Sequence, residues 1–119
     1  MIEYAIEAAL KSEWDSYKVG AACFDKRKNL LSVGWNKQKT HTTQAKWAAK
    51  ANQPKRQFLH AEIDALIKCE HKPFYIVVVR LTKSGLAMAL PCPICMRAIE
   101  GADVRRIHYT NLNGILVPL

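Results

Sequence analysis

The chain has 119 residues, half of them hydrophobic, with 18 basic against 10 acidic side chains and a formal net charge of +8. That length fits one domain, the composition excludes a disordered or fibrous chain, and the longest apolar run, FYIVVV, is far too short to span a membrane. The positive balance favours anionic partners but does not separate a nucleotide phosphate from a nucleic acid.

Met1 to Asp15, MIEYAIEAALKSEWD, carries acids and reads as an amphipathic helix rather than a secretory leader, with Ile2, Ile6, Ala9 and Leu10 on one face and an end near Glu13. A cytoplasmic protein is expected, and in that setting the four cysteines are read as metal-binding, catalytic or core residues before disulfides. VGAACF (Val19–Phe24) is a short buried strand, DKRKN turns it, and LLSVGW (Leu30–Trp35) answers as its hairpin partner. Lys37 to Leu59 is irregular, with a helix over Gln44–Ala51, a break at Pro54 and scattered lysines. A solvated basic surface is the plain reading of those lysines, and no nucleic-acid-binding signature stands beside them. HAEIDALIKCE is a largely apolar helix suited to packing on a sheet. FYIVVVRL (Phe74–Leu81) is a central strand covered on both faces. SGLAMALP reads as a loop and Cys92 to Ala102 as a helix. RRIHYT (Arg105–Thr110) and ILVPL are two strands joined by the tight turn NLNG, an antiparallel hairpin. The order predicts a three-layer α/β/α sandwich around a mixed sheet of about five strands, a single domain over residues 1–119.

The chemistry concentrates in LPCPICMRAIEGA. Cys92 and Cys95 lie three apart at the front of a helix. Such a pair serves redox chemistry, a structural zinc or a catalytic metal. The thioredoxin-like strand that a redox pair follows is absent, and no second pair exists to complete a zinc ribbon. Catalytic zinc takes three protein ligands and keeps the fourth position open. The best third ligand is His60, which opens the helix behind it. Glu62, two residues on and off the same helix flank, can still face the same point because first-turn side chains lean back past the helix start, although an ordinary first-turn acid favoured by the helix dipole reads the same way. Cys92 at a helix start favours the thiolate that zinc needs. His41, His71 and His108 lack comparable company, and of these only His41 is expected near the pocket. Cys23 and Cys69 read as small core residues. Trp47 and Tyr109 read as packing, and Trp35 as packing close to the site.

H-x-E followed by P-C-x-x-C is a zinc nucleobase deaminase signature. The chain reads His60-Ala61-Glu62, then Pro91-Cys92-Pro93-Ile94-Cys95, and it resembles the cytidine deaminase-like superfamily. YKVGAACFD looks like the family's first strand and VGWN like the end of its second, so the resemblance covers most of the chain in order. It implies Zn²⁺ held by His60, Cys92 and Cys95, with Glu62 as catalytic proton carrier. It also implies that the backbone N–H of Ala61 holds a cytosine carbonyl and that Asn36 bonds a ribose hydroxyl.

The sub-branch is divided. Histidine in place of the first cysteine resembles the deoxycytidylate, tRNA adenosine and polynucleotide cytidine branches. The short length and the terminal hairpin resemble the free cytidine and blasticidin branch, and small phage-type deaminases as well. The expectation is a zinc-dependent hydrolase of nucleotide metabolism that deaminates cytosine in a free nucleoside or nucleotide, assembled as a homo-oligomer. The alternatives are a deaminase of single-stranded DNA or tRNA, for which the charge speaks, and a non-catalytic zinc-stabilised binding module, against which Glu62 speaks.

Overall fold

The computed structural model describes residues 1–119. Its elements in chain order are α1 (Ile2–Leu10), β1 (Lys18–Phe24), β2 (Leu30–Trp35), α2 (Thr42–Lys50), α3 (Ala61–Lys68), β3 (Tyr75–Thr82), β4 (Gly85–Ala87), α4 (Pro93–Gly101), β5 (Arg106–Thr110) and β6 (Leu116–Pro118). The sheet runs β2-β1-β3-β5-β6, with the short β4 added to the end of β3. Only β3 and β5 are parallel; every other pair is antiparallel. The mixed sheet and its terminal hairpin are those read from the sequence, with six strands rather than five.

β4 is the element that the sequence reading missed. Its three residues are all half-buried, so no alternation marks them. The turn before it is made by Gly85 at φ 112 and by the Thr82 hydroxyl, which accepts from the Ser84 N–H and donates to the Gly85 carbonyl. The turn before β6 is more legible: Asn111 Oδ1 accepts from the N–H groups of Asn113 and Ile115, and Gly114 takes φ 72. Elsewhere the boundaries move by a few residues at most. α1 stops at Leu10, short of Glu13, and Ser12 leaves the helix to donate to the Asn36 carbonyl at 3.2 Å.

β1 and β3 are buried on both faces because helices cover both. On one face Ala5 and Ala9 of α1 pack against Ala22, Phe24, Val77 and Val79. On the other, Ala61 and Ala65 of α3 and Ile99 of α4 pack against Ala21, Cys23, Ile76 and Val78. A third cluster joins α2, α3 and α4 through Ala48, Ile63, Ile94 and Ala98, and Cys95 belongs to it. The helix faces are mostly alanine, so helix and sheet approach closely. Gly34 marks the close approach to α3: a Cβ there would strike the backbone of Ala61 and Ala65. This seats the first turn of α3 over the carboxyl end of β2, beside the amino end of β1 and the carboxyl end of β3. No helix is long and apolar enough to cross a membrane.

Candidate metal centre

Two helices begin at this end of the sheet, and each begins on a predicted ligand. His60 is the N-cap of α3 and Cys92 the N-cap of α4; neither side chain caps its own helix, so both are free to turn outward. Pro93 fills the first position of α4, where its fixed φ suits a helix start and its missing N–H breaks nothing. One turn on, Cys95 is fully buried. His60 Nδ1 lies 3.3 Å from Cys95 Sγ and 3.5 Å from Cys92 Sγ. The three donor atoms all fall within 4.8 Å of one another. Zinc bonds of about 2.0 Å to nitrogen and 2.3 Å to sulfur, meeting at a tetrahedral angle, put the two donors roughly 3.5 Å apart. One imidazole and two thiols at that spacing fit a zinc ion, and Zn²⁺ with two thiolates and a neutral imidazole sums to zero charge.

The thiols differ. Hydrogen bonding from Cys95, with the contact to His60, brings Cys92 down to about 4 against the opposing effect of burial. Cys95, hydrogen-bonded to Cys92 and buried, stands well above the ordinary thiol range. A cation entering the site therefore draws a proton from Cys95. Burial raises the Glu62 carboxyl above its usual range, opposed by the neighbouring His60. Glu62 is 5% exposed, stands in the second position of α3, and lines the same cavity as His60 and Cys92.

The approach to His60 is held from both sides. The Lys37 N–H donates to the Leu59 carbonyl, the Leu59 N–H donates to the Lys39 carbonyl, and Thr40 bridges Phe58. Gln44 of α2, fully buried, accepts from the His60 N–H at 3.1 Å and donates to the Arg56 carbonyl. The irregular Lys37–Leu59 segment is thus the wall that positions His60. Gln44 was not singled out in the sequence; a glutamine on a small amphipathic helix carries no local signal of a partner 16 residues away.

A cavity of about 260 Å³ opens over the centre. Asn36 and Ala61 both line it. Ala61 opens α3, so its N–H has no partner within the helix. The Asn36 amide is already engaged: Oδ1 accepts from the Val19 N–H at 3.0 Å and Nδ2 donates to the Tyr17 carbonyl at 2.7 Å, fixing the start of β1. Trp14, Tyr17 and Phe58 form an aromatic mouth, with the Trp14 and Phe58 rings 6.1 Å apart, and Arg56 and Arg80 line the cavity with them. None of these five was read as part of the site. Arg80 carried a signal: it stands on the core-facing side of β3, two residues past Val78, where an apolar residue is expected.

The other candidates fall elsewhere. His41 caps α2 by accepting from the Thr43 N–H, and it does not line the cavity. His108 is half-buried on β5 and does not line the cavity. Trp35 lies outside the cavity under three lysines, Lys11, Lys37 and Lys68; the last two pair with the buried Asp64.

Residues 1–111 match the sequence model described as the cytidine and deoxycytidylate deaminase zinc-binding region. Among solved structures the chain is similar to a cytidine deaminase from Burkholderia pseudomallei, with 22% identity over 99% of this chain and 87% of that one and a TM-score of 0.68. It is also similar to a mutant cytidine deaminase from Mycobacterium tuberculosis, with 16% identity over 90% of this chain and 79% of that one and a TM-score of 0.59. These likenesses are of fold. No curated protein sequence matches this one.

Proposed function

The chain belongs to the cytidine and deoxycytidylate deaminase family, and from that premise we propose that this zinc-dependent hydrolytic deaminase converts cytosine, in a free nucleoside or nucleotide, to uracil and ammonia. The observation that carries the reading is the convergence of His60 Nδ1 with two cysteine sulfurs at 3.3 and 3.5 Å, beside a buried glutamate in a cavity. A zinc ion held by His60, Cys92 and Cys95 supplies a Lewis acid that makes water nucleophilic near neutral pH.

The rest is the work of the chain. Glu62 takes one proton from the attacking water and gives it to the ring nitrogen beside the reacting carbon. As the carbon–nitrogen bond breaks, Glu62 carries the second proton to the amine, which leaves as ammonia while the oxygen becomes the uracil carbonyl. Burial suits Glu62 to this exchange, because it brings the carboxyl closer to the working pH. The Ala61 N–H is a donor for the cytosine carbonyl. Asn36, with its amide already bridging Val19 and Tyr17, has its second Nδ2 hydrogen left for a sugar hydroxyl.

A concave cavity of about 260 Å³, near the range of small-molecule pockets, supports a free monomer as the substrate. The antiparallel β5–β6 ending supports the same choice, as the ending that resembles the free cytidine branch. The second reading, a deaminase of single-stranded nucleic acid, is favoured by the aromatic mouth of Trp14, Tyr17 and Phe58, since bases stack on such rings.

The test is Glu62→Ala. The variant is expected to keep one zinc per chain by metal analysis and to lose ammonia release from cytosine monomers by at least about 10²-fold. Retained turnover with zinc in place removes Glu62 from the mechanism.

A further inference from the structure

β3 explains why an arginine reaches the cavity. Ile76 and Val78 face α3 and α4 and are fully buried. The next residue on that side is Arg80, opposite Val19 of β1, one step beyond the core. There its guanidinium meets the site instead of the helices. Tyr17 lies against it, ring centre to guanidinium 4.5 Å. That stacking fixes the guanidinium plane without using an N–H. No protein acceptor takes any Arg80 donor, and its Nε is buried with no partner. An unpaired buried donor is costly, and a buried guanidinium is normally matched by an anion. The molecule has four ion pairs, and neither Arg80 nor Arg56 is in any of them. Lys37, the third cation of the cavity, is held by Asp64. The one acid lining the cavity is Glu62. The cavity therefore has two arginine forks that no carboxylate of the protein pairs with.

We propose that this site takes its substrate as a phosphate monoester, a nucleoside monophosphate, with Arg80 as the principal phosphate contact and Arg56 as the second. The inference rests on the deaminase reading of the same cavity: with a base directed to the metal centre, the anion that a nucleotide brings is its phosphate. The fork of an arginine presents two parallel N–H groups to two phosphate oxygens, and Nε is half of one such pair. Tyr17 holds the plane in which they are offered. Arg56 lines the same cavity, is exposed, and is in no ion pair, so it is available to the other oxygens.

The experiment uses the zinc-loaded chain, with ammonia release measured from cytidine, deoxycytidine, their 5′-monophosphates and a single-stranded oligonucleotide. Calorimetric binding of uridine 5′-monophosphate and of uridine is measured beside it. The monophosphates are expected to exceed the nucleosides in kcat/KM, and uridine monophosphate to bind more tightly than uridine, by roughly ten- to a hundred-fold, the worth of a charge-assisted contact. Arg80→Gln should collapse both ratios; Arg80→Lys should restore them only in part, because an ammonium keeps the charge without the fork. Arg56→Gln, an exposed change that leaves the fold alone, should reduce both ratios and carries the test if Arg80→Gln does not fold. Nucleosides turned over as well as monophosphates, ratios unmoved in the arginine variants, or turnover of the oligonucleotide alone would each overturn the proposal. If no cytosine compound releases ammonia, the deaminase reading fails by itself; Arg80-dependent binding of uridine monophosphate then upholds the phosphate site, and its absence overturns that too.

Discussion

His108 shows how a single side chain can set a pH response far from the metal. Burial first, then the charges of Lys28 and Arg106, hold it below the ordinary imidazole range, and its Nδ1 is buried without a partner. A base whose folded value is depressed is favoured neutral in the fold. Its contribution is intact above the unfolded value of about 6.5 and is lost as pH falls through that value towards the folded one. Denaturant unfolding between pH 7.5 and 5 is expected to show a decline in stability that His108→Gln flattens; an unchanged slope would mean that His108 is not its source. Among the site residues, His60, Glu62, Cys92 and Cys95 were legible because each sits in a short motif whose spacing is itself the chemistry. Gln44 and Tyr17 were not, since each acts through a partner distant in the chain, Gln44 through the His60 N–H and Tyr17 through Arg80, whose own signal was only its place in the apolar alternation of β3. Asn36 was legible by position, yet the sequence could not reveal that its amide already ties Val19 to Tyr17.

The centre depends on where α3 sits, and Gly34 decides that. β2 and α3 touch backbone to backbone there, and Ser32 adds a hydrogen bond to the Ala65 carbonyl at 2.7 Å. Asp64 locks the other side of the helix to β2, accepting from the Trp35 N–H and pairing with Lys37 and Lys68. Gly34→Ala puts a methyl group into the Ala61 and Ala65 backbone. It should lower stability by about 1–3 kcal/mol, the usual cost of overpacking, and weaken zinc binding with it, because the helix that begins on His60 must lift. Thermal melts and metal titration of the variant check both; a loss of stability with unchanged zinc affinity would separate the seat of α3 from the metal centre. At this scale the strands were the most legible elements. DKRKN and NLNG carried clear turn chemistry, and FYIVVV an unbroken apolar run. β4 was hidden because three half-buried residues carry no period.

Across the whole molecule, a zinc ion held by His60, Cys92 and Cys95 would tie together two helices that otherwise meet through one apolar cluster. α3 and α4 share the cluster of Ile63, Ile94, Cys95 and Ala98, and their first turns converge on the ligands. A metal that binds only the folded chain adds to its stability by mass action. Chelation is therefore expected to lower Tm by several degrees, and zinc to restore it; a Tm indifferent to chelation would mean that the three ligands do not hold the ion together. The net charge of +8 was visible from the start, but not its distribution, which leaves two arginines unpaired inside one cavity while the other basic groups lie mainly on the surface. The layered fold was legible because the order of helices and strands allowed few arrangements. The cavity was not, because its walls come from five separate stretches of chain. The central claim is hydrolysis: water supplies the oxygen that replaces an amine. Its most direct test is to incubate the zinc-loaded protein with the four cytosine monomers in ¹⁸O-labelled water and weigh the product. The account predicts uracil product carrying one labelled oxygen, in equal amount with ammonia, and none from Glu62→Ala; unlabelled product, or none from any monomer, would contradict it.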